Sequence, residues 1–310
     1  MINGIINVYK EKGFTSFDVV AKMRGIFHQK KIGHTGTLDP DAEGVLPVCL
    51  GKATKVCDLL TDKDKEYKAV LLLGQETDTQ DISGEVLNKA DVMVSEEQVR
   101  EVIASFVGEG EQIPPMYSAL KVNGQKLCDL ARKGITVERK SRPITIHSIE
   151  ILSINLPEIE MLVHCSKGTY IRTLCNDIGK KLGTYGCMKS LLRTRVVHFN
   201  LENAYRLSEL EELVQKPEVE WDFVEAVDSV FTKYEAVYAD EKAEKLIRNG
   251  NRIPISLVKQ ESVSEMTTAI GDEKIKENIY RLYDYNRKFI GLYAYLEENE
   301  EYKPVKLFMD

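Results

Sequence analysis

The residue best suited to chemistry in this chain is a carboxylate, Asp39, in the middle of residues 33–44, which read GHTGTLDPDAEG. The three glycines of this segment allow unusual backbone angles and close approach to a ligand. Pro40 disfavours helical backbone at Asp39, so we expect an extended loop that holds the carboxylate outward. The apolar run at residues 45–50 predicts a buried strand behind the loop. Taken alone, an Asp-Pro dipeptide is also typical of an ordinary turn.

A second candidate is Tyr67, which lies between Lys65 and Lys68 at the start of the apolar run in residues 65–74. An aromatic ring in this position can stack on a nucleobase while the two ammonium groups contact phosphate. The structural alternative is a tyrosine half-buried at the end of a strand.

A third candidate is Arg172, in residues 164–174, which read HCSKGTYIRTL. The pattern predicts a strand, a Ser-Lys-Gly turn and a helix that ends at Gly183. The apolar positions of this helix are Ile171, Leu174, Ile178 and Leu182. A cation in the first turn of a helix gains nothing from the helix dipole, so Arg172 favours an anionic partner. For the arginine alone, a salt bridge on the helix surface is the alternative.

Two further segments carry recognisable patterns. Residues 112–121, QIPPMYSALK, combine two prolines with a Tyr-Ser-Ala turn and precede a basic stretch. Residues 190–195 read SLLRTR and include Leu191. A rigid structural loop is the simplest interpretation of the first segment taken alone.

Together these segments resemble the bacterial tRNA pseudouridine-55 synthases of the TruB type. The matching patterns are G-H-x-G-x-L-D-P, K-x-Y, P-P-x-Y-S-A-x-K and K-G-T-Y-I-R. The resemblance covers essentially the full chain and implies the following roles: Asp39 as the essential catalytic residue, Arg172 as its partner, Tyr67 packed against the target base, and Tyr170 and Leu191 lining the pocket. Two positions depart from the family pattern, Cys128 in place of a common aromatic residue and Leu192 in place of a frequent arginine. We expect altered packing at Cys128 without loss of activity, and fewer phosphate contacts at Leu192.

The implied reaction isomerises uridine at position 55 in the T-loop of tRNA. The bond from ribose C1′ to uracil N1 breaks, the base rotates, and C1′ is rejoined to C5. One ionised carboxylate is sufficient, either as a nucleophile or as a base that removes a sugar proton. No redox step or group donor is involved, so no cofactor is expected. The cysteines and the five histidines show no metal-ligand spacing, so no metal site is expected.

The target uridine has to leave its stack before the reaction. We expect His34 to fill or support the vacated space, with a histidine in an ordinary turn as the alternative. Lys52 and Lys55, in the sequence GKATK, are candidates for phosphate contacts or for a solvated helix face.

The pattern of strands and helices that have to position these residues predicts an α+β fold, with a mixed or antiparallel central sheet and flanking helices. Strands are expected at residues 5–9, 144–152 and 159–165, and a helix at residues 16–28 with Phe17, Val20, Met23 and Phe27 on its apolar face. Ser95 and Gln98 predict a capping box that starts another helix. The domain prediction is a pseudouridine synthase catalytic domain at 1–232 and a small β-rich PUA-like RNA-binding domain at 233–310.

Charge is distributed unevenly along the 310 residues, whose net charge is −7. Residues 116–195 contain 14 lysines and arginines against 6 aspartates and glutamates, whereas residues 201–240 contain 3 against 11. A basic groove beside an acidic surface is compatible with an RNA partner. The six cysteines form no C-x-x-C pair, which favours reduced thiols and a cytoplasmic protein. No signal peptide or membrane helix is expected, and we expect a monomer without an obligate protein partner.

Three other functions stay open on the sequence. The chain could be a tRNA-binding or tRNA-folding protein that does not need catalysis. It could be the guide-RNA-dependent relative that modifies ribosomal RNA with partner proteins, although that loop usually has Ser where Thr35 stands here. A carboxylate hydrolase is the weakest of the three because no second carboxylate is clearly paired with Asp39.

Overall fold

The computed structural model describes residues 1–260 and 278–309. Seven α-helices lie within these residues: α1 Ser16–Ile26, α2 Cys57–Thr61, α3 Glu96–Ala104, α4 Leu127–Ala131, α5 Ile171–Lys181, α6 Leu207–Val214 and α7 Glu244–Arg248. Short 3₁₀ turns connect several elements.

The strands of the same described residues form two large sheets and two small hairpins. Their bounds are β1 Gly4–Lys10, β2 Ile32–His34, β3 Glu43–Leu50, β4 Lys65–Leu73, β5 Gln75–Thr77, β6 Val86–Lys89, β7 Gly108–Gln112, β8 Lys121–Val122, β9 Gln125–Lys126, β10 Arg142–Asn155, β11 Glu158–Cys165, β12 Gly186–Val196, β13 Phe199–Asn200, β14 Glu235–Ala239, β15 Ile253–Pro254, β16 Val258–Gln260, β17 Ile279–Tyr283, β18 Phe289–Leu296 and β19 Glu301–Leu307.

The central sheet has the order β1-β3-β12-β4-β11-β10-β7, with β2 paired to β3 and β13 paired to β12. All its pairings are antiparallel except the short parallel contact between β3 and β12. Gly44 permits that contact, because its φ is +105° and a Cβ there would lie 2.2 Å from the carbonyl oxygen of Arg193. The prediction of an α+β fold with a mixed central sheet is confirmed.

Several local sequence signals produce the expected elements. Ser95 and Gln98 form the predicted capping box at the start of α3. The helix after the Ser-Lys-Gly turn is α5, and Gly183 follows it with a φ of +72°. In strand β11 buried and half-buried residues alternate, as the apolar pattern predicts.

One predicted helix face is partly wrong. In α1 the buried residues are Ser16, Val19, Val20 and Met23, whereas Phe17 is 63% exposed. The cap explains the difference, because Thr15 and Asp18 form a capping box that starts the helix at Ser16 and turns Phe17 toward solvent. The hydroxyl of Ser16 instead accepts a hydrogen bond from the amide of Leu38.

The helices cover the central sheet in two groups. Helices α3 and α5 pack over β4, β10, β11 and β12 around a core that includes Leu71, Met161 and Ile178. Helices α1 and α6 pack together over β1 and β3 around a second core. On the other side of strands β4 and β11 the alternate residues are only half-buried.

The carboxyl-terminal sheet has the order β15-β19-β18-β17-β14-β16. Its two edge strands, β15 and β16, are consecutive in the chain and joined by the 3₁₀ turn Ile255–Leu257, so the sheet forms a near-closed barrel. Strands β17 and β18 form the predicted hairpin, with Asn286, Arg287 and Lys288 in the connection. The predicted β-rich, PUA-like carboxyl-terminal unit is confirmed as an architecture.

The two sheets share an apolar interface. Phe231, Phe289 and Phe308 form a ring cluster that packs with Ala53 and Val56 of the amino-terminal part. The predicted domain boundary after residue 232 lies between the 3₁₀ turn Val227–Phe231 and strand β14. It remains a prediction, because a shared core does not by itself divide the chain.

All six cysteines are free thiols, four of them buried. Within the two described ranges, no helix combines the length and the apolar character needed to cross a membrane.

Candidate active site

The Asp39 loop, defined as residues 35–42, connects β2 to β3 and is tied down at both ends. The Thr35 hydroxyl donates to the carbonyl of Pro47 at 3.1 Å, and the amide of Leu38 donates to the Ser16 hydroxyl at 2.9 Å. The side chain of Leu38 is 3% exposed and lies in the core between the central sheet and helices α3 and α5. The loop is therefore anchored on both sides of the carboxylate.

Arg172 holds Asp39 with two parallel contacts. Its Nε lies 2.9 Å from Asp39 Oδ2 and its Nη2 lies 3.2 Å from Oδ1. The arginine side chain is 6% exposed, whereas that of Asp39 is 39% exposed. A planar guanidinium in this bidentate arrangement fixes both the direction and the charge of a carboxylate. The predicted pairing of the two residues is present, with one face of the carboxylate open.

Backbone carbonyls fix the guanidinium in turn. Arg172 Nη1 donates to the carbonyl of Thr79 at 3.0 Å, and Nη2 donates to the carbonyl of Tyr117 at 2.7 Å. A second carboxylate, Asp81 Oδ2, lies 3.7 Å from Nη1. Sequence reasoning did not assign Asp81 to the site, because the contact depends on how residues 77–81 return toward α5.

The charge balance at Asp39 has opposing contributions. Burial raises the pKa of the Asp39 carboxyl above its ordinary value of 3.8, and the neighbouring charge of Asp81 acts in the same direction. The Arg172 guanidinium and the Lys10 ammonium oppose this rise in pKa. The carboxylate is thus less hydrated than a free one and more readily protonated, a state typical of functional carboxylates.

Lys10 is a buried ammonium beneath the loop that sequence reasoning missed. Its side chain donates to the carbonyls of Ala42 at 2.5 Å and Pro40 at 3.0 Å, and burial lowers the pKa of Lys10 to about 8. The last residue of a strand gives no signal of such burial in the sequence. Lys10 fixes the descending half of the loop and contributes positive charge near Asp39.

Tyr67, Leu191 and Arg193 form one wall of the site. In the antiparallel pairing of β4 and β12, Tyr67 is opposite Arg193 and Ala69 is opposite Leu191, so the three side chains share the sheet face that α5 covers. Tyr67 is half-buried and Leu191 is 9% exposed. Burial raises the pKa of the Tyr67 phenol, while the Arg193 guanidinium acts in the opposite direction.

Arg193 is the second residue that sequence reasoning missed. It is 1% exposed, and its Nε donates to the carbonyl of Val45 at 2.7 Å. Its Nη2 has no hydrogen-bond partner among the described residues. A buried guanidinium with an unused donor beside Tyr67 is an unusual feature of a protein interior and fits a site that receives a polar ligand.

Tyr170 is fixed by its backbone. Its amide donates to Gln112 Oε1 at 2.8 Å, and Gln112 Nε2 donates back to the Tyr170 carbonyl at 3.1 Å. Burial raises the pKa of the Tyr170 phenol, and the nearby Ser118 hydroxyl opposes that shift. The predicted segment at residues 112–121 therefore joins the Arg172 helix through both Tyr170 and the carbonyl of Tyr117.

His34 lies where β2 enters the Asp39 loop. Its Nδ1 accepts a hydrogen bond from the Gly36 amide at 3.3 Å. Burial lowers the pKa of the imidazole below its ordinary value of 6.5, and the charge of Arg193 contributes to this. His34 is therefore a neutral, partly buried ring at neutral pH.

Two predicted residues lie away from this group. Lys52 and Lys55 are in the 3₁₀ turn Gly51–Val56, beyond the end of β3 opposite to the Asp39 loop. The eight residues of β3 span about 23 Å. Lys52 is 9% exposed, and Lys55 Nζ donates to the carbonyl of Leu307 at 2.9 Å. Both lysines thus lie beside the carboxyl-terminal sheet.

Two family models match the chain over consecutive ranges. The amino-terminal domain of the TruB family of pseudouridylate synthases matches residues 24–171, and the carboxyl-terminal domain of tRNA pseudouridylate synthase B matches residues 172–232. Together they cover more than half of the chain and include Asp39, Tyr67, Arg172 and Leu191.

Curated relatives match over their full lengths. A tRNA pseudouridine synthase B from Lachnoclostridium phytofermentans is 53% identical, with 99% of this chain and 100% of the relative covered. The protein of the same name from Clostridium tetani is 46% identical over 99% of this chain and 100% of the relative.

Solved structures show the same fold. A Cbf5–Nop10–Gar1 complex contains a chain that superposes with a TM-score of 0.72 at 26% identity, covering 99% of this chain and 85% of the other. An H/ACA RNP bound to a substrate RNA containing 2′-deoxyuridine gives a TM-score of 0.70 at 23% identity, with 99% and 85% covered. The family models and the full-length relatives agree, and this chain belongs to the TruB family of pseudouridine synthases.

Proposed function

We propose that this enzyme converts uridine to pseudouridine at position 55 in the T-loop of tRNA, and that Asp39 carries the reaction. The observation that carries the proposal is the bidentate Arg172–Asp39 pair, with one face of the carboxylate open beside the Tyr67–Leu191 wall. Relatives named tRNA pseudouridine synthase B, at 44–53% identity over nearly their full lengths, supply the substrate class.

The chemistry requires a carboxylate that is ionised, oriented and partly dehydrated. Asp39 either attacks the ribose as a nucleophile or removes a ribose proton, and either step weakens the bond between C1′ and N1. The freed uracil rotates and C5 forms a bond to C1′, while the Asp39–ribose bond breaks on the first route or Asp39 returns the ribose proton on the second; the proton on C5 is then lost and N1 gains one. A substrate deuterated on the sugar separates the two routes, because only proton removal gives a primary isotope effect.

The flipped base fits between the wall and the Asp39 loop in this proposal. Tyr67 stacks on one face of the uracil, and Leu191 and Tyr170 line the pocket. His34 is a neutral ring at the rim of the loop and occupies the space that the flipped nucleotide leaves. Arg193 offers its unpaired Nη2 to a polar atom of the bound nucleotide.

Exposed basic residues beside the site supply the phosphate contacts. The segment after Tyr117 carries exposed cations at Lys121, Lys126, Arg132, Lys133 and Lys140. Their charges lie on the same segment that holds Arg172, so backbone binding and active-site geometry are physically linked. Contacts from Lys52 and Lys55 stay a prediction and would involve a part of the tRNA near the carboxyl-terminal sheet.

We further propose that the enzyme is cytoplasmic and acts as a monomer without an obligate protein partner. In the Cbf5–Nop10–Gar1 complex a chain of this fold is assembled with other proteins, but that chain is 26% identical, whereas the relatives named tRNA pseudouridine synthase B are 44–53% identical, so the guide-RNA-dependent function with partner proteins is the less favoured one. Purified enzyme is mixed with an unmodified tRNA transcript without other protein or RNA, and pseudouridine is mapped by chemical adduct and primer extension. A single new stop at the T-loop uridine supports stand-alone catalysis.

The same experiment tests the other two functions. If pseudouridine forms only after a guide RNA and partner proteins are added, the result would favour the enzyme that modifies ribosomal RNA. Tight binding of tRNA without any pseudouridine would favour a tRNA-folding protein.

A further inference from the structure

Two histidines and one aspartate converge on the back of the central sheet, away from Asp39. They are Asp64, just before β4, His147 on β10 and His164 on β11. One potential ligand atom from each residue lies within 4.8 Å of the other two. Strands β4, β11 and β10 are adjacent in the sheet, so the turn before β4 and the two neighbouring strands each contribute one group.

Strand geometry explains why the three side chains meet. His164 lies on the half-buried side of β11, because its neighbour Cys165 points into the core. His147 is the extra residue of an irregularity in the ladder, where Ile146 pairs with Cys165 and Ser148 pairs with His164. Such a bulge redirects a side chain.

The contacts within the group are close. His147 Nε2 lies 3.0 Å from Asp64 Oδ2, and the two imidazole centroids are 4.7 Å apart. Both His147 and Asp64 are accessible to solvent, at 37% and 48% exposure of their side chains. A cation and its waters can reach the group without any change in the fold.

Neighbouring cations already have their own carboxylates. Lys167 Nζ lies 3.1 Å from Asp62 Oδ1, and Arg195 Nη2 lies 3.2 Å from Glu66 Oε2. Neither of these cations therefore takes Asp64 as its ion-pair partner; Asp64 pairs with His147 and lies in the field of the Lys65 ammonium.

We propose that Asp64, His147 and His164 form a binding site for a divalent transition-metal cation of the zinc class. Two imidazoles and a carboxylate are the donor set that zinc accepts in proteins, and three protein ligands leave a coordination position for water. The spacing of residues along the chain predicted no metal site, because these three ligands lie far apart in the sequence.

A bound cation would connect the turn before β4 to the strands that lead into α5. Residue 164 is followed by the Ser-Lys-Gly turn, whose Ser166 hydroxyl accepts a hydrogen bond from the Thr145 amide at 2.8 Å. The proposed role is thus structural, and it is independent of the pseudouridine reaction.

Zinc chloride is titrated calorimetrically into the full-length, untagged protein with its cysteines kept reduced. Wild type is expected to bind zinc saturably with one-to-one stoichiometry. The variants His147→Ala and His164→Ala are expected to bind zinc at least about tenfold more weakly. His198→Ala is the matched control, because His198 pairs with Glu225 at 2.8 Å and has comparable exposure. The control is expected to bind zinc as wild type does.

Two further measurements locate the ion and exclude a folding defect. Zinc is expected to raise the melting temperature of wild type and not that of Asp64→Asn, a variant that preserves the shape of the side chain. A crystal soaked in zinc chloride should give an anomalous peak between the three residues. Absence of zinc binding by wild type, unchanged binding in both histidine variants, or a peak elsewhere would overturn the proposal.

Discussion

The geometry around Asp39 depends on residues of two kinds. Asp39, Tyr67 and Arg172 lie in short patterns that the sequence alone makes recognisable. Lys10 lies in no such pattern, and Arg193 lies in the recognised segment 190–195 but was not picked out, because the burial of both side chains depends on strands distant in sequence. The site residues that belong to a local sequence motif were thus predictable, and those whose position depends on packing between distant strands were not.

Arg172→Lys is expected to lower the rate of pseudouridine formation by about 10²-fold or more. A lysine keeps the charge but cannot make both contacts with Asp39 while donating to the carbonyls of Thr79 and Tyr117. Arg195→Lys is the matched control, because Arg195 pairs with Glu66 and is 39% exposed. The single-turnover rate of pseudouridine formation is measured for both variants. Equal rates would contradict the role of Arg172 in positioning Asp39.

The pH dependence of the reaction should report the environment of Asp39. Burial raises the pKa of this carboxyl, and the reaction needs its ionised form, so activity is present above that pKa and lost as the pH falls through it. The acid limb of the single-turnover rate should therefore lie above the pH expected for a free aspartate. In Asp81→Asn the limb should move to lower pH, because a charge that raises the pKa is removed.

The exposed Asp91→Asn serves as the control for this measurement and should leave the limb in place. An acid limb that does not move in Asp81→Asn would contradict the electrostatic coupling between the two carboxylates.

Elements position the site through the loop between β2 and β3 and the start of α5. The capping box at Ser95 and the alternation of β11 were both readable from the sequence, because they depend on neighbours within a few positions. The outward position of Phe17 and the parallel contact of β3 with β12 were not, since they depend on where distant elements pack. The parallel contact between β3 and β12 requires a residue without a Cβ at position 44, and that residue is Gly44.

Gly44→Ala is expected to lower the free energy of unfolding by more than about 2 kcal/mol. The backbone φ of +105° is unfavourable for alanine, and the new Cβ would meet the carbonyl of Arg193. Gly25→Ala in α1 is the matched control; a Cβ there meets nothing within 4 Å, so stability should rise by about 0.4–1 kcal/mol. Urea unfolding measures both, and an unchanged midpoint for Gly44→Ala would refute the close approach.

At the scale of the whole molecule, the carboxyl-terminal sheet is joined to the catalytic part by a shared core. Phe308 lies 5.6 Å from Phe231 and 5.5 Å from Phe289 between ring centroids, and it is 3% exposed. The β-rich composition of this region predicts the sheet but not the interface, because Phe308 packs in one core with Phe231 and with residues of the 3₁₀ turn Gly51–Val56, which lie far away in the sequence.

Phe308→Ala is expected to lower the free energy of unfolding by about 3–5 kcal/mol, because it leaves a cavity between the two sheets. Val305→Ala, on strand β19 just before Phe308, should change the free energy of unfolding by less than about 0.5 kcal/mol, since Val305 is 55% exposed. Calorimetry of both variants checks this. A loss of stability that is confined to a separate, small unfolding transition would contradict a core shared by the two sheets.

The most direct test of the account compares Asp39→Asn with Asp41→Asn on an unmodified tRNA transcript. Asp41 is an exposed carboxylate in the same loop, so its variant controls for charge and folding. Binding of the transcript and formation of pseudouridine are measured for both. We predict that Asp39→Asn binds tRNA yet forms no pseudouridine, while Asp41→Asn remains active. Pseudouridine formation by Asp39→Asn at the rate of wild type would contradict the central claim.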